Sequence, residues 1–366
     1  MIKKRWVYLA LLFPLILVFS ENLYGQTEGV NVQGGTKEEP TEEVPVVIPL
    51  SLDFHQEMRN FIQTISRYAR SIKPNFVIVA RDAHDLIVRR DQLDFTNITP
   101  ARTLIRSIDG VLQDGIFVGH HKVGKPTKKS KAEEFLASMQ MAKNNGLQVL
   151  TFDYAKKHEV IKDTYLRAAK EGYRPFVAPA KGSALTNIPP FPSIPFNENS
   201  DNVLSINKLK NYLYLGETAR FGRQDEFALK LHSTNYDAVI VDVFHGRLPL
   251  TRQAVETLKY KKIGSRRLVL ARMDIGTAAS YRYYWKPDWG PGNPFWLLDP
   301  YPKNPDRFIV EFWRPEWQKI ITGDANSYIY GIIKQGFDGV VLEGLLSYLF
   351  FEMGEVSLID FELLGR

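Results

Sequence analysis

The chain has 366 residues, 44% of them hydrophobic and 24% charged, with a formal net charge of +6 and no cysteine. The lack of cysteine excludes a disulfide framework, thiol chemistry and a lipid-modified cysteine. The basic excess is modest and forms no stripe with interleaved aromatics, which argues against nucleic acid as the partner.

Lys3, Lys4 and Arg5 precede an apolar run from Trp6 to Phe19, and small Gly25 follows. That order predicts a signal peptide over residues 1–25. The run is shorter than the ~20 apolar residues a membrane-spanning helix needs. The expected location is therefore secreted or periplasmic, with no membrane span after cleavage; an uncleaved anchor is the alternative. Residues 26–50, rich in Glu, Pro, Gly and Val, predict a flexible acidic linker. The charge of +6 divides into +2 for the first 25 residues, −4 for the linker and +8 for residues 51–366. That last stretch is long enough for one large domain.

From Ser51 on, short apolar runs alternate with helix-period segments. Strands are predicted at Asn75–Ala80, Gly110–Val118, Gln148–Asp153, Tyr212–Gly216, Ala238–Val243, Arg267–Met273, Phe308–Trp313 and Gly339–Glu343. Helices are predicted at Phe54–Ile72, Lys131–Asn144, Lys156–Lys170, Gln253–Lys259 and Ser327–Lys334. Eight such strands with helical crossovers predict an α/β fold, a (β/α)8 TIM barrel, with an open doubly wound sheet as the alternative. Arg174–Pro179 is read as an extra cover strand or loop. Asn187–Phe196, with its Pro/Phe alternation, is read as an irregular connector.

In such a barrel the chemistry sits where strands end. Those ends carry Arg81, Asp82, His84, Asp85, Asp114, Asp153, Tyr154, Glu217, Asp242, Asp274, Trp313, Arg314 and Glu343. Any one of these carboxylates is explained as well by a helix cap or a loop. Five tryptophans lie between Trp285 and Trp317. Such a density of flat rings makes either a local core or a surface on which sugar faces stack. Trp285, Trp289 and Trp296, in a Pro/Gly loop, are the stacking candidates, while Trp313 and Trp317 fit a core.

Several stretches carry a resemblance. RRLVLARMDIGTAASYRYYW (266–285), EFWRPEWQKII (311–321), GFDGVVLEG (336–344) and YDAVIVD (236–242) form one block. ISRYARSIKPNFVIVARDAHDLI (65–87), SIDGV (107–111) and LTFDYA (150–155) form another. Together they resemble the polygalactosaminidase-type glycoside hydrolases of family 114, which are TIM barrels. The two blocks stand in exchanged order relative to those enzymes, so the resemblance implies a circular permutant.

It also implies a polysaccharide as substrate or ligand and no cofactor or metal. The family's probable nucleophile Asp falls at Glu343. Its Gln-Asn-Gly-Glu-Glu stretch falls on Arg81, Asp82, Ala83, His84 and Asp85, and its Gly-Glu-Ala-Glu on 276–279. Glu343 with Asp85 is therefore the expected carboxyl pair, with His84 as an alternative acid and Asp274 as a replacement carboxylate. Asp242, Tyr281, Arg282, Trp285, Trp289, Trp296, Trp313, Arg314, Arg81, Asp82 and Asp153 are the expected substrate-binding residues. The loss of two family glutamates at Thr277 and Ala279 and the gain of Arg81 suit a neutral or acidic polymer better than a cationic one. A catalytically impaired barrel that binds glycan, or has a structural role in the envelope, is the competing expectation.

GHHKVGKP (119–126) nearly spells a phosphate loop, but Pro126 stands where a magnesium-binding hydroxyl is required. His120 and His121 have no third ligand at zinc spacing. The oligomeric state has no signal in the sequence.

Overall fold

The computed structural model of the protein describes residues 52–90, 97–181, 184–301 and 304–353. The expected signal peptide and acidic linker lie outside these residues. The described part is a (β/α)8 barrel.

Eight parallel strands build it: β1 (Val77–Arg81), β2 (Gly110–Asp114), β3 (Gln148–Tyr154), β4 (Arg174–Ala178), β5 (Leu213–Tyr214), β6 (Ala238–Asp242), β7 (Leu268–Asp274) and β8 (Gly339–Glu343). Around the sheet they run β4-β3-β2-β1-β8-β7-β6-β5. Chain neighbours are thus sheet neighbours, and the last strand pairs with the first, Val77 opposite Gly339 through Ala80 opposite Leu342. That pairing curls the sheet into a barrel. Among the described residues the seam between β4 and β5 carries no ladder, and side chains bridge it instead. The Phe176 and Tyr212 rings lie 5.5 Å apart, and the Tyr212 hydroxyl donates to the Thr151 carbonyl at 2.8 Å.

Nearly every strand residue is buried, as expected of strands covered by helices outside and packed side chains inside. The helices are α1 (Phe54–Ile72), α2 (Arg102–Ser107), α3 (Lys129–Asn144), α4 (His158–Lys170), α5 (Gln224–His232), α6 (Arg252–Leu258), α7 (Pro315–Ile321), α8 (Tyr328–Gln335) and α9 (Tyr348–Met353). In α1, Met58, Phe61, Ile62, Ile65 and Ala69 repeat at helical spacing and all are buried. Asp53 caps its start, accepting from the Gln56 amide at 2.8 Å. Among its described residues the β4–β5 connection has no α-helix; the Pro/Phe connector runs there, as expected.

At the opening of three strands an Asp precedes a small residue: Asp109-Gly110, Asp237-Ala238 and Asp338-Gly339. Each carboxylate accepts a backbone amide at or beside the neighbouring strand, from Ile78 at 2.7 Å, Lys210 at 2.9 Å and Val269 at 3.0 Å. These aspartates close the bottom of the barrel, where amides at strand starts would otherwise lack acceptors.

Two strand assignments exchange places. Arg174–Pro179 is not a cover strand; it supplies β4. Phe308–Trp313 is not a barrel strand. Its first residues belong to Asn304–Val310, the middle of a three-stranded antiparallel side sheet with Thr277–Ala279 and Leu297–Tyr301. The reason is local. Pro175 argues against an interior strand, yet β4 borders the seam and has one ladder partner, a place that tolerates proline. Asn304, Pro305 and Asp306 are exposed, which a barrel strand does not allow.

Candidate functional site

The C-terminal ends of the strands surround a cleft of about 520 Å³. Its floor is one ionic network. Arg81, at the end of β1, is buried and grips Asp114 at the end of β2 with two parallel bonds of 3.0 and 2.7 Å. Its remaining nitrogen donates to Glu343 Oε1 at 2.9 Å. Arg272, on β7, reaches the same carboxylate at 3.2 Å to Oε1 and 2.9 Å to Oε2. The Tyr214 hydroxyl, on β5, donates to Oε1 at 2.7 Å. Burial alone would push the Glu343 carboxyl up; the two guanidinium groups overcome it and hold this carboxylate ionised, far below the ordinary range.

Asp82 behaves in the opposite way. It follows β1 with a left-handed backbone, φ 55°, a conformation Asp tolerates better than most residues. The turn aims its side chain into the cleft. Its Oδ1 accepts from Gln113 Nε2 and from the Asp114 amide, both at 3.0 Å. Its Oδ2 lies 3.8 Å from Arg81 Nε. Burial, with the Asp114 carboxylate beside it, pushes the Asp82 carboxyl well above its usual range against the opposing pull of Arg81. The cleft therefore holds one carboxyl whose surroundings favour the ionised form and one whose surroundings favour the protonated form. A single guanidinium touches both, which confines their nearest oxygens within the ~9.5 Å upper separation used in glycoside hydrolysis.

The opposite wall is built from matched pairs. Arg282 meets Asp242 in a bidentate bridge of 2.8 and 2.7 Å. Arg307 bonds Asp274, whose other oxygen accepts the Gly276 and Thr277 amides at 3.1 and 2.8 Å. Tyr281 is 58% exposed and lies under the Arg282 guanidinium, 5.3 Å from its ring centre. Phe244 lines the same wall, and Arg282 lies 5.2 Å from its ring centre. A small side pocket opens beside Asp82, lined also by His84, His120, Lys131 and Lys181.

Of the expected residues, Arg81, Asp82, Asp242, Asp274, Tyr281, Arg282 and Glu343 converge on the cleft. Asp85 does not. It points away, bonded to Arg90 at 2.7 Å and close to His55 at 3.7 Å, and these partners hold it ionised despite its burial. Asp85 is thus removed as the acid facing Glu343. His84 lines only the side pocket, its ring edge-on to Phe135. Burial and Lys131 lower its pKa to about 4, so it holds no proton to give near neutrality.

Asp153 is fully buried beneath the site. One of its oxygens accepts the Phe117 and Val118 amides at 2.8 and 2.9 Å, fixing the turn after β2. Arg314 pairs with Glu311 and lies against Phe295, away from the cleft. None of the five tryptophans lines it. Trp285, Trp289, Trp296 and Trp317 form a chain of ring contacts 5.1–5.5 Å apart that packs the side sheet, and Trp296 is 3% exposed. Trp313 packs on Phe54 and Phe351. The segment is a local core.

Arg272, Tyr214 and Arg307 went unpredicted. A signal existed for the first. In LVLARMD, Arg272 and Asp274 stand two apart in an otherwise apolar barrel strand, so both share the inward face. Among the described residues no group of three or more His, Asp or Glu is arranged to hold a metal, and no helix is long and apolar enough to cross a membrane.

No family model matches the sequence. Curated relatives align with part of it. One is an uncharacterized protein of Methanocaldococcus jannaschii, 32% identical over 146 residues, 40% of this chain and 40% of the relative. Another, from Deinococcus radiodurans, is 32% identical over 118 residues, 32% of this chain and 36% of the relative. A third, from Thermotoga maritima, is 27% identical over 125 residues, 34% of this chain and 37% of the relative. Each alignment spans less than half the length of the relative it matches.

Proposed function

We propose that this barrel hydrolyses glycosidic bonds in a polysaccharide outside the cytoplasm, as a circularly permuted relative of the polygalactosaminidases. One observation carries the reading: Asp82 and Glu343, their carboxyls pushed in opposite directions by their surroundings, share the cleft at the strand ends and are bridged by Arg81. Glycoside hydrolysis needs two such groups, one to give a proton and one to meet the charge left on the sugar.

Asp82 passes its proton to the glycosidic oxygen as the bond from that oxygen to the anomeric carbon breaks, and the bonding pair leaves with the oxygen. Glu343, held ionised by two guanidinium groups, meets the positive charge that develops on the anomeric carbon. Water adds to that carbon and gives a proton back to Asp82, which completes the hydrolysis. Tyr281 and Phe244 supply ring faces for the sugar, and Arg282 supplies donors for its hydroxyls.

The exchanged order of the family-like blocks supports the permutation. The basic N-terminal residues and apolar run support export.

The test is release of reducing ends from a panel of polysaccharides. Glu343→Gln abolishes it. Asp82→Asn loses natural polymers but keeps activity on aryl glycosides whose leaving group needs no proton, such as dinitrophenyl glycosides. Asp82→Asn retaining full activity on the polymer sinks the assignment. A second reading has its own observation: Glu343 Oε1 already accepts from three donors, an arrangement that also suits a fixed floor beneath a bound glycan. Unchanged polysaccharide binding with no turnover by the wild-type chain would favour that reading.

A further inference from the structure

Two lysine-rich stretches, separate in sequence, meet at the cleft end of the barrel. One is the β2–α3 loop, GHHKVGKPTKKSK (119–131); the other is the turn from β3 into α4, AKKHEVIK (155–162). The first is folded back on itself by a bridge between Val118 and Pro126 and a bond from the Gly119 amide to the Lys125 carbonyl. It is tied to the end of β3, next to the second, by a 2.7 Å bond from the Gly124 amide to the Tyr154 carbonyl. Lys181, just past β4, joins them, donating to the His120 carbonyl with its ammonium 5.1 Å from the Tyr154 ring centre.

Lys122, Lys125, Lys128, Lys129, Lys156, Lys157 and Lys162 are all exposed on this crest. Within the two stretches the only carboxylate is Glu159. Lys129 and Lys131 reach Glu133 and Glu134 on α3. Among the described residues Lys122, Lys125, Lys128, Lys156 and Lys157 form no ion pair.

Like charges at this density repel, and soluble surfaces ordinarily intersperse the signs. The helix starts increase the cost. Lys128 and Lys157 occupy the N-cap positions of α3 and α4 with no side-chain cap. Ser, Thr or Asp there would satisfy an amide, and a cation faces the positive end of the helix dipole. Glu159 in the first turn of α4 and Glu133 and Glu134 on α3 offset only part of this charge, and the surplus left on one rim suits an anionic partner from outside. The crest is also continuous with the cleft, because the side pocket lined by His120, Lys131 and Lys181 shares Asp82, Lys181 and Leu346 with it.

We infer that the crest holds the run of a polymer whose repeating units carry anionic groups, while one linkage of that polymer sits between Asp82 and Glu343. This names the substrate class of the cleft and rests on reading it as a glycan site. The opposite wall, where Asp242 and Asp274 neutralise Arg282 and Arg307, gives no charge preference. Selection for anions therefore falls on the β2–β4 side. A single polysaccharide strand threads a cleft of this size, and a nucleic-acid duplex does not.

The test is binding of the full-length protein to polygalacturonate, to a glycerol-phosphate polymer and to a neutral glucan, at salt between about 50 and 200 mM. The variants are Lys122→Glu/Lys125→Glu/Lys128→Glu and, separately, Lys156→Gln/Lys157→Gln, all at exposed positions. The wild-type chain is expected to bind one or both polyanions, with affinity falling about tenfold or more across that salt range. The charge-reversed variant loses about tenfold or more at low salt and has a shallower salt dependence. Comparison of the two polyanions identifies the anion as carboxylate or phosphodiester.

Equal polyanion binding by wild type and charge-reversed variant overturns the inference, as does a wild-type preference for neutral glucan. Duplex DNA competing as well as the polymers also overturns it. The outcome is separable from catalysis. A wild-type chain that holds polyanion through the crest but releases no reducing ends defeats the hydrolase reading and leaves the crest standing. A reversed variant that cuts a polyanion at the wild-type rate does the opposite.

Discussion

The residues of the cleft divide by how their charge is stabilised, and the division gives measurable consequences. Glu343 is ionised because two guanidinium groups and a phenol surround it. Glu343→Gln keeps the shape and one acceptor but leaves Arg81 and Arg272 short of a counter-charge. It is expected to lower stability by about 2 kcal/mol, within the range for breaking hydrogen bonds to buried charged groups, measurable by denaturant unfolding, besides removing activity. Asp153 has the opposite problem. Burial raises its carboxyl to about 7, only partly countered by two amides, and its second oxygen has no hydrogen-bond partner among the described residues. A folded-state value above the unfolded ~3.9 means that its contribution is fully present below about pH 4 and is lost as pH rises through about 7. Asp153→Asn is expected to flatten stability between those limits, by up to roughly 4 kcal/mol. Unchanged pH dependence in chemical denaturation would show that the group is not charging inside the fold.

At the scale of elements, α1 and α9 are joined by a titratable clasp. His55 on α1 bonds Glu352 on α9 at 2.5 Å and faces Asp85 at 3.7 Å, and its ring packs on Tyr348. Burial works against protonation, but the hydrogen bonds and charges of Asp85 and Glu352 win and raise the ring to about 9. A raised histidine contributes stability that is fully present below its unfolded value of ~6.5 and lost as pH rises through about 9. His55→Gln is expected to abolish that decline, read from thermal melts between pH 6 and 10. Strand packing makes a second element-scale prediction. Gly339 opens β8 against β1, and a Cβ there would run into the backbone and side chain of Val77. Gly339→Ala is expected to cost about 1–3 kcal/mol, the usual range for overpacking a filled core. A neutral result in denaturant unfolding would mean that β1 and β8 separate more easily than their ladder implies.

For the whole molecule, the first and last described helices lie side by side. Phe54 and Phe351 are in ring contact at 5.4 Å, next to the His55–Glu352 bond. The ring of strands closes through β1 and β8, while the discontinuity in hydrogen bonding falls at the β4–β5 seam. A chain joined by a short Gly/Ser linker from Met353 to Leu52 and opened between exposed Ser193 and Ile194 is therefore expected to fold to the same barrel, since closed barrels tolerate cuts in surface connectors. Its far-UV spectrum and a single cooperative melt are the measurements. Loss of cooperativity would show that the connector is needed to hold β4 and β5 in place.

The periodic apolar runs by themselves determined the α/β class, seven of the eight strands and the approximate spans of five helices, while the choice of a barrel over an open sheet was settled by the pairing of the last strand with the first. Burial on both faces forces a continuous apolar run whatever the strand contacts. The eighth strand depended on tertiary position: Pro175 fits a strand only because it borders the seam, and Phe308–Val310 looks like a barrel strand only when its exposed leading residues are ignored. Strand ends located Glu343, Asp82, Arg81, Asp242 and Asp274, because topology places such ends at one rim. Which of them face one another was decided by a single positive φ at Asp82, which turns that carboxyl inward while Asp85, three residues on, turns away to His55 and Arg90. The tryptophans and the two lysine stretches follow the same logic. Composition marked the tryptophans as unusual and left the lysines as a modest, scattered excess, but only the fold turned the first into a core beneath the side sheet and drew the second into one crest, since contacts between distant segments depend on how the strands close rather than on any local pattern.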